Sequence, residues 1–173
     1  AVRRAGGLAE VEMTRLGNAW GIPFTLRKVA TLRAGSAAID VEYEITGLEP
    51  GAVQHLAVEL NFAGLPAAAA GRFFRDASGN AIDELGARLD LVGATFLGLV
   101  DEWLGIDASV LVTGTPPVGI WAFPIRTVSQ SEGGFEGVHQ SVAVMPHWRV
   151  EPDSTGTWRT SFTIAAECRA ARA

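Results

Sequence analysis

Between Phe123 and Trp148 the chain reads FPIRTVSQSEGGFEGVHQSVAVMPHW, and here groups able to exchange protons and hydrogen bonds are concentrated. Thr127, Ser129, Gln130, Ser131, Glu132, Glu136, His139 and Gln140 lie between apolar flanks, and Gly133 and Gly134 mark a turn in the middle. Two strands meeting at that bend carry hydroxyls, amides and carboxylates side by side, a surface suited to a sugar or to a neighbouring domain. Glu132 and Glu136 flank the turn, and two carboxylates divide acid and base work when both face one substrate. No spacing rule brings this pair onto one substrate, and a turn carboxylate and an interface acceptor explain them more simply.

The remaining reactive side chains are scattered. His139 and His147 are eight residues apart and His55 is distant in sequence, so the close spacing that zinc sites favour is missing. Asp90, Asp101, Glu102 and Asp107 form an oxygen-rich group of the kind that holds calcium, but without the alternating Asp pattern of a calcium loop, and turn or solvent carboxylates account for them. No metal and no cofactor is expected. Trp20, Trp103, Trp121, Trp148 and Trp158 offer indole faces that either stack on sugar rings or fill a core or an interface; Trp121 and Trp148 bracket the polar run. Glu59 and Asn61 stand on the polar side of an apolar strand, placed to bond across a sheet, to a sugar or to another domain. Arg126 and Arg149 are positioned to pair with Glu132 or Glu136 at the surface, where such pairs contribute little. Cys168 is the single cysteine, so no internal disulfide and no multi-cysteine metal site forms; it reads as an inert thiol.

The elements that must position these residues read as strands. Ile39, Val41, Tyr43 and Ile45 alternate with Asp40, Glu42 and Glu44. The same period-two pattern recurs at Leu56, Val58, Leu60 and Phe62, at Ile106 to Val112, at Val138 to Val144 with Gln140 as a polar exception, and at Trp158 to Ile164. Residues 24–32 form an earlier strand, joined to the next through Arg33-Ala34-Gly35-Ser36. Leu85, Leu89, Val92, Phe96, Leu99 and Trp103 step by threes and fours, as on a helix, but Gly86, Gly93 and Gly98 lie among them and each costs a helix about 1 kcal/mol relative to Ala. Strands at 87–92 and 95–100, with a turn near 101–105, are therefore preferred over the helix. Pro66 to Gly71 reads as a helical turn in a loop, and residues 1–7 and 169–173 as frayed ends. Many short strands with Gly and Pro between them predict an all-β sandwich.

The chain has 173 residues and is 48% apolar, enough for one domain with a substantial core. Its formal charge of −5 argues against nucleic acid and against an anionic membrane surface as partners. No run approaches the roughly 18 uninterrupted apolar residues of a membrane helix. The opening AVRRAGGLAE has no apolar stretch of a secretory leader, but the absence of an initial Met reads as excision from a longer polypeptide, so the missing leader says little about that parent; a cytoplasmic setting is expected.

The segment WAFPIRTVSQSEGGFEGVHQSVAVMPHW, residues 121–148, resembles the C-terminal β-domain of family 57 glycoside hydrolases of the α-amylase and 4-α-glucanotransferase type. TLRKVATLRAGSAAIDVEYEIT (25–46), HLAVELNFAG (55–64) and LVDEWLGIDASVLV (99–112) agree with that domain in order. The resemblance implies a sandwich like that of galactose mutarotase, in a single domain over residues 1–173. It also implies a parent enzyme acting on α-1,4-glucans, whose chemistry sits on a separate barrel-like domain with two carboxylates about 5 Å apart. No segment here matches that barrel, so no residue is assigned a catalytic role. The role implied is an accessory domain that buttresses the catalytic domain of the same polypeptide and helps wall the glucan cleft. Its contact surface, to that domain or to α-1,4-glucan, would comprise Glu59, Asn61, Trp121, Thr127, Ser129, Gln130, Glu132, Glu136, His139, Gln140 and Trp148. Alternatives are a stand-alone carbohydrate-binding module, an aldose-epimerase-like enzyme using His139 with Glu132 or Glu136, and a scaffold with an oligomer interface.

Overall fold

The computed structural model describes residues 1–63, 65, 69–131, 134–168 and 171. Among them every regular element is a strand: β1 Val2–Ala5, β2 Leu8–Ala19, β3 Ile22–Arg33, β4 Ala38–Thr46, β5 Gln54–Ala57, β6 Leu60–Ala63, β7 Arg72–Arg75, β8 Ala81–Glu84, β9 Leu89–Val92, β10 Phe96–Asp101, β11 Ile106–Val112, β12 Gly119–Ser131, β13 Gly134–Val150 and β14 Trp158–Cys168. They build a nine-stranded sheet in the order β1-β2-β3-β4-β14-β11-β10-β7-β8 and a five-stranded sheet in the order β5-β13-β12-β9, with β6 also on β13. Every pairing is antiparallel.

The all-β sandwich follows from the alternation read in the sequence. Val41, Tyr43, Ile45, Val110, Val112 and Phe162 turn inward from the long sheet, and Ile120, Ala122, Val142, Val144 and Trp148 turn inward from the short one. Trp148 is the largest fully buried side chain. Its ring lies 6.1 Å from Trp158 and 6.5 Å from Phe162, and its Nε1–H donates to the Thr115 carbonyl at 2.8 Å, so the buried indole has the partner it needs. On the outside of the long sheet, Glu12 pairs with Arg27, Asp40 with Arg33 and Glu44 with Arg159, the charged side of the same alternation.

Residues 85–103 adopt the strand reading: β9 and β10 flank Gly93, whose φ of 71° suits a turn. β10 imitates a helical stripe because Leu97, Gly98, Leu99 and Val100 are buried on both faces. Residues 1–7 are not frayed; β1 pairs with β2 from Val2↔Val11 to Ala5↔Leu8, and the Ala1 ammonium donates to the Glu12 carbonyl. Most of the turn expected at 66–71, and most of 169–173, lies outside the described residues.

Two local features matter for function. An extra residue, Gln140, interrupts the β12–β13 ladder: Ile125 pairs with Ser141 but Arg126 pairs with His139. The single run expected from Val138 to Val144 is therefore broken, and Val138 falls on the opposite face from Val142. In the β2–β3 hairpin, Ala19 pairs with Ile22, leaving Trp20 (φ 54°) and Gly21 (φ 87°) as a two-residue turn of the primed type. The Gly21 N–H is taken by Asn18 Oδ1 at 2.9 Å. Glycine adopts this backbone freely, whereas a side chain such as that of Trp20 costs about 1–2 kcal/mol there.

Candidate functional site

The polar hairpin is a two-stranded ribbon. β9 pairs with β12 only at residues 119–122 and β6 pairs with β13 only at 141–144, so among the described residues the rungs from Arg126↔His139 to Ser131↔Gly134 belong to β12 and β13 alone. Alternation puts Val128, Gln130 and Phe135 on one face and Thr127, Ser129, Glu136 and Val138 on the other. Val128 is 75% exposed and Phe135 78%. The first face thus sets two large apolar side chains in solvent, with Gln130 and Arg126 beside them. Thr127 Oγ1 accepts from Gln140 Nε2 at 3.0 Å, tying the two strands at the bulge. Glu132 lies outside the described residues, so its proposed pairing with Glu136 is not placed.

A second cluster occupies the outer face of the short sheet. Trp148 points inward, so its neighbour His147 points outward, where β5 runs beside β13. His55 Nε2 and His147 Nδ1 are 3.1 Å apart, one proton shared between them. His147 also stacks on Trp121 at 3.9 Å between ring centroids and 19° between planes. Sandwiched this way, His147 is only 4% exposed. Burial, then the neighbouring His55, hold it below the ordinary imidazole range, against a smaller upward pull from Asp90. Its Nε2 has no hydrogen-bond partner among the described residues. Sequence spacing set His55 apart from His147; β-pairing across 92 positions joins them.

Glu59 and Asn61 stand further along the same edge. Asn61 donates to Glu59 Oε1 at 2.8 Å, and Ser141 donates to Asn61 Oδ1 at 3.3 Å, a chain that partly satisfies their polar groups within the domain. His139 Nε2–H donates to the Leu65 carbonyl at 2.9 Å, and its Nδ1 is buried without a partner among the described residues. Three expectations are corrected. Trp148 is a core residue and presents no face to a sugar or a domain. Arg149 pairs with Glu151 at 2.6 Å instead of with the hairpin glutamates, because β13 carries it away from the turn. Asp101 and Asp107 are buried rather than solvent carboxylates, each held by an arginine of β7: Asp101 by Arg72 at 2.7 Å and Asp107 by Arg75 at 2.9 Å.

This architecture is an antiparallel two-sheet sandwich domain around one aromatic-rich core, with a ribbon standing off the shorter sheet. Residues 4–162 match the profile of the family described as alpha-amylase/4-alpha-glucanotransferase, C-terminal, and the chain belongs to that family. Among solved structures it is similar to a 4-alpha-glucanotransferase from Thermococcus litoralis, with 15% identity and a TM-score of 0.62 over 96% of this chain and 22% of that one. It is also similar to a putative aldose 1-epimerase from Klebsiella pneumoniae, with 7% identity and a TM-score of 0.65 over 98% of this chain and 53% of that one. The Slr1438 protein from Synechocystis gives a TM-score of 0.59 at 10% identity, over 98% of this chain and 66% of that one. The chain therefore spans about a fifth of the glucanotransferase and about half of the epimerase. At these identities the likeness is one of fold. No curated protein matches the chain in sequence.

Proposed function

We propose that this domain is the non-catalytic C-terminal part of a family 57 α-amylase or 4-α-glucanotransferase, and that it buttresses the catalytic domain of the same polypeptide at the wall of the glucan cleft. The observation that carries this reading is the pair of exposed apolar side chains on the ribbon, Val128 with Phe135. A two-stranded ribbon alone is marginal in water, and an apolar patch with a polar border is what a partner surface covers. Carbohydrate chemistry is left to the partner: His139 is engaged through Nε2 and buried at Nδ1, which disfavours it as the acid or base of an epimerase. A cytoplasmic setting belongs to the same reading, since the exposed Cys168 thiol is at home in a reducing compartment. No helix among the described residues is long and apolar enough to cross a membrane.

Hydrogen exchange tests the docking. Ribbon amides at 126–131 and 134–139 should exchange quickly in this chain alone and slowly in the polypeptide that joins it to a catalytic domain. Equal exchange in the two would remove the ribbon as the contact. The chain alone should show no turnover of amylose.

A further inference from the structure

The two-residue turn between β2 and β3 holds Trp20 97% exposed beside an apolar cleft. We propose that Trp20 and this cleft form a binding site for an α-1,4-linked glucan chain, one glucosyl unit entering the cleft and a neighbouring unit stacking on the indole. The choice of an α-glucan rests on the family reading above; the site itself rests on the following geometry.

The cleft lies where the two sheets part, between Ile22, Phe24 and Leu26 of β3 and Leu56 and Val150 of the short sheet, with Gln54 and His55 also in its lining. Its volume is about 210 Å³. Pockets for drug-sized ligands start at roughly 300 Å³, so this one takes a single ring-sized group. An apolar floor with a few polar groups matches a glucosyl ring, which has a C–H face and a rim of hydroxyls. Gln54 supplies an amide donor and acceptor, whereas the His55 ring is turned to the other face of β5, against His147 and Trp121.

Trp20 is placed for binding, not for folding. Its side chain adds nothing to the core, and it occupies a left-handed position where Asn or Gly is the ordinary choice. A residue that breaks the local rule without a structural gain marks a site of function. The turn closes two twelve-residue strands paired in continuous register, which leaves its backbone little freedom for stacking to remove. A protein-docking tryptophan sits inside a ring of other contacts. The apolar neighbours of Trp20 lie within the ring-sized cleft, and the rest of the tip, Asn18, Ala19 and Gly21, is small or polar, so the contact fits one sugar unit and its neighbour and offers no broad protein-docking face.

The test is titration of the chain with maltoheptaose, followed by backbone and indole N–H chemical shifts, with cellohexaose as the β-linked control. The expected result is saturable binding at millimolar sugar, with shifts centred on Trp20, Gln54 and His55. Trp20→Asn should lower affinity by about tenfold or more while raising the melting temperature, because Asn-Gly is preferred in this turn. Trp121→Ala should bind as wild type. No shift at millimolar maltoheptaose, equal binding of cellohexaose, shifts centred on Trp121, or unchanged affinity in Trp20→Asn would each overturn the proposal. So would protection of Trp20 by a joined catalytic domain in the absence of sugar. Failure here leaves ribbon protection intact, and failure of ribbon protection leaves this binding intact, so the two readings stand or fall separately.

Discussion

The imidazole of His147 lies flat on the indole of Trp121, and its Nδ1 meets His55 across the β5–β13 pairing. The groups that set its charge are His55 and Asp90, and burial outweighs both. A base depressed in the folded state is neutral there while its unfolded counterpart takes up a proton. The unfolded chain thus binds more protons below the ordinary value of 6.5, and stability is lost as pH falls from 6.5 towards the folded value. Chemical denaturation at pH 7.5 and pH 5 should show this loss, and His147→Gln should flatten it. An unchanged slope in His147→Gln would show that His147 is not the titrating group. The carboxylates Asp40, Asp76, Asp101 and Asp153 are all depressed, so their contribution is lost only in a more acidic window.

Asp101 is fully buried at the end of β10. Burial pushes its carboxyl up, but Arg72 at 2.7 Å and the N–H groups of Leu104 and Trp103 outweigh this and hold it below the usual range. Arg72→Met strands a buried charge and should cost about 3–5 kcal/mol in denaturant titration. Adding Asp101→Asn, which removes the charge but keeps an acceptor for the Trp103 and Leu104 N–H groups, should recover most of that loss. If Arg72→Met costs less than about 1 kcal/mol, the pair behaves like a surface ion pair.

Two glycines separate backbone strain from crowding. Gly156 has φ 74°, and a Cβ there would sit 2.3 Å from the Leu48 carbonyl oxygen. Gly51 has φ 82° with open space around it. Gly51→Ala should cost about 1 kcal/mol, the backbone effect alone, and Gly156→Ala clearly more than about 2 kcal/mol. Equal losses would show that the 48–156 contact yields.

The strands half-covered by the partner sheet were legible because one face is wet: Ile39 to Ile45 is read correctly at every position. Val2 to Ala19 was not, since the short sheet does not reach β1 and β2, and Met13 and Val2 remain exposed on the side that should have been apolar and buried. β10 imitated a helix because both of its faces are covered. At the site, the polar hairpin was visible as a composition, but the bulge at Gln140 that sorts its residues onto faces leaves no local mark. The His55–His147 contact depends on long-range register, which no spacing encodes. The Trp20 turn did leave a signal, a Gly preceded by a residue that disfavours the turn, and it is visible only once the hairpin is known.

Docking through the ribbon is tested most directly by calorimetry of the polypeptide in which this domain is joined to its catalytic domain, compared with its Val128→Glu/Phe135→Glu variant. Both side chains are exposed in the domain alone, so the variant should leave the isolated fold within about 0.5 kcal/mol of wild type. The expected result is one cooperative transition in the wild type that separates into two in the variant, with loss of activity on amylose. A variant that melts as a single transition at the wild-type temperature, with full activity, would contradict docking through Val128 and Phe135.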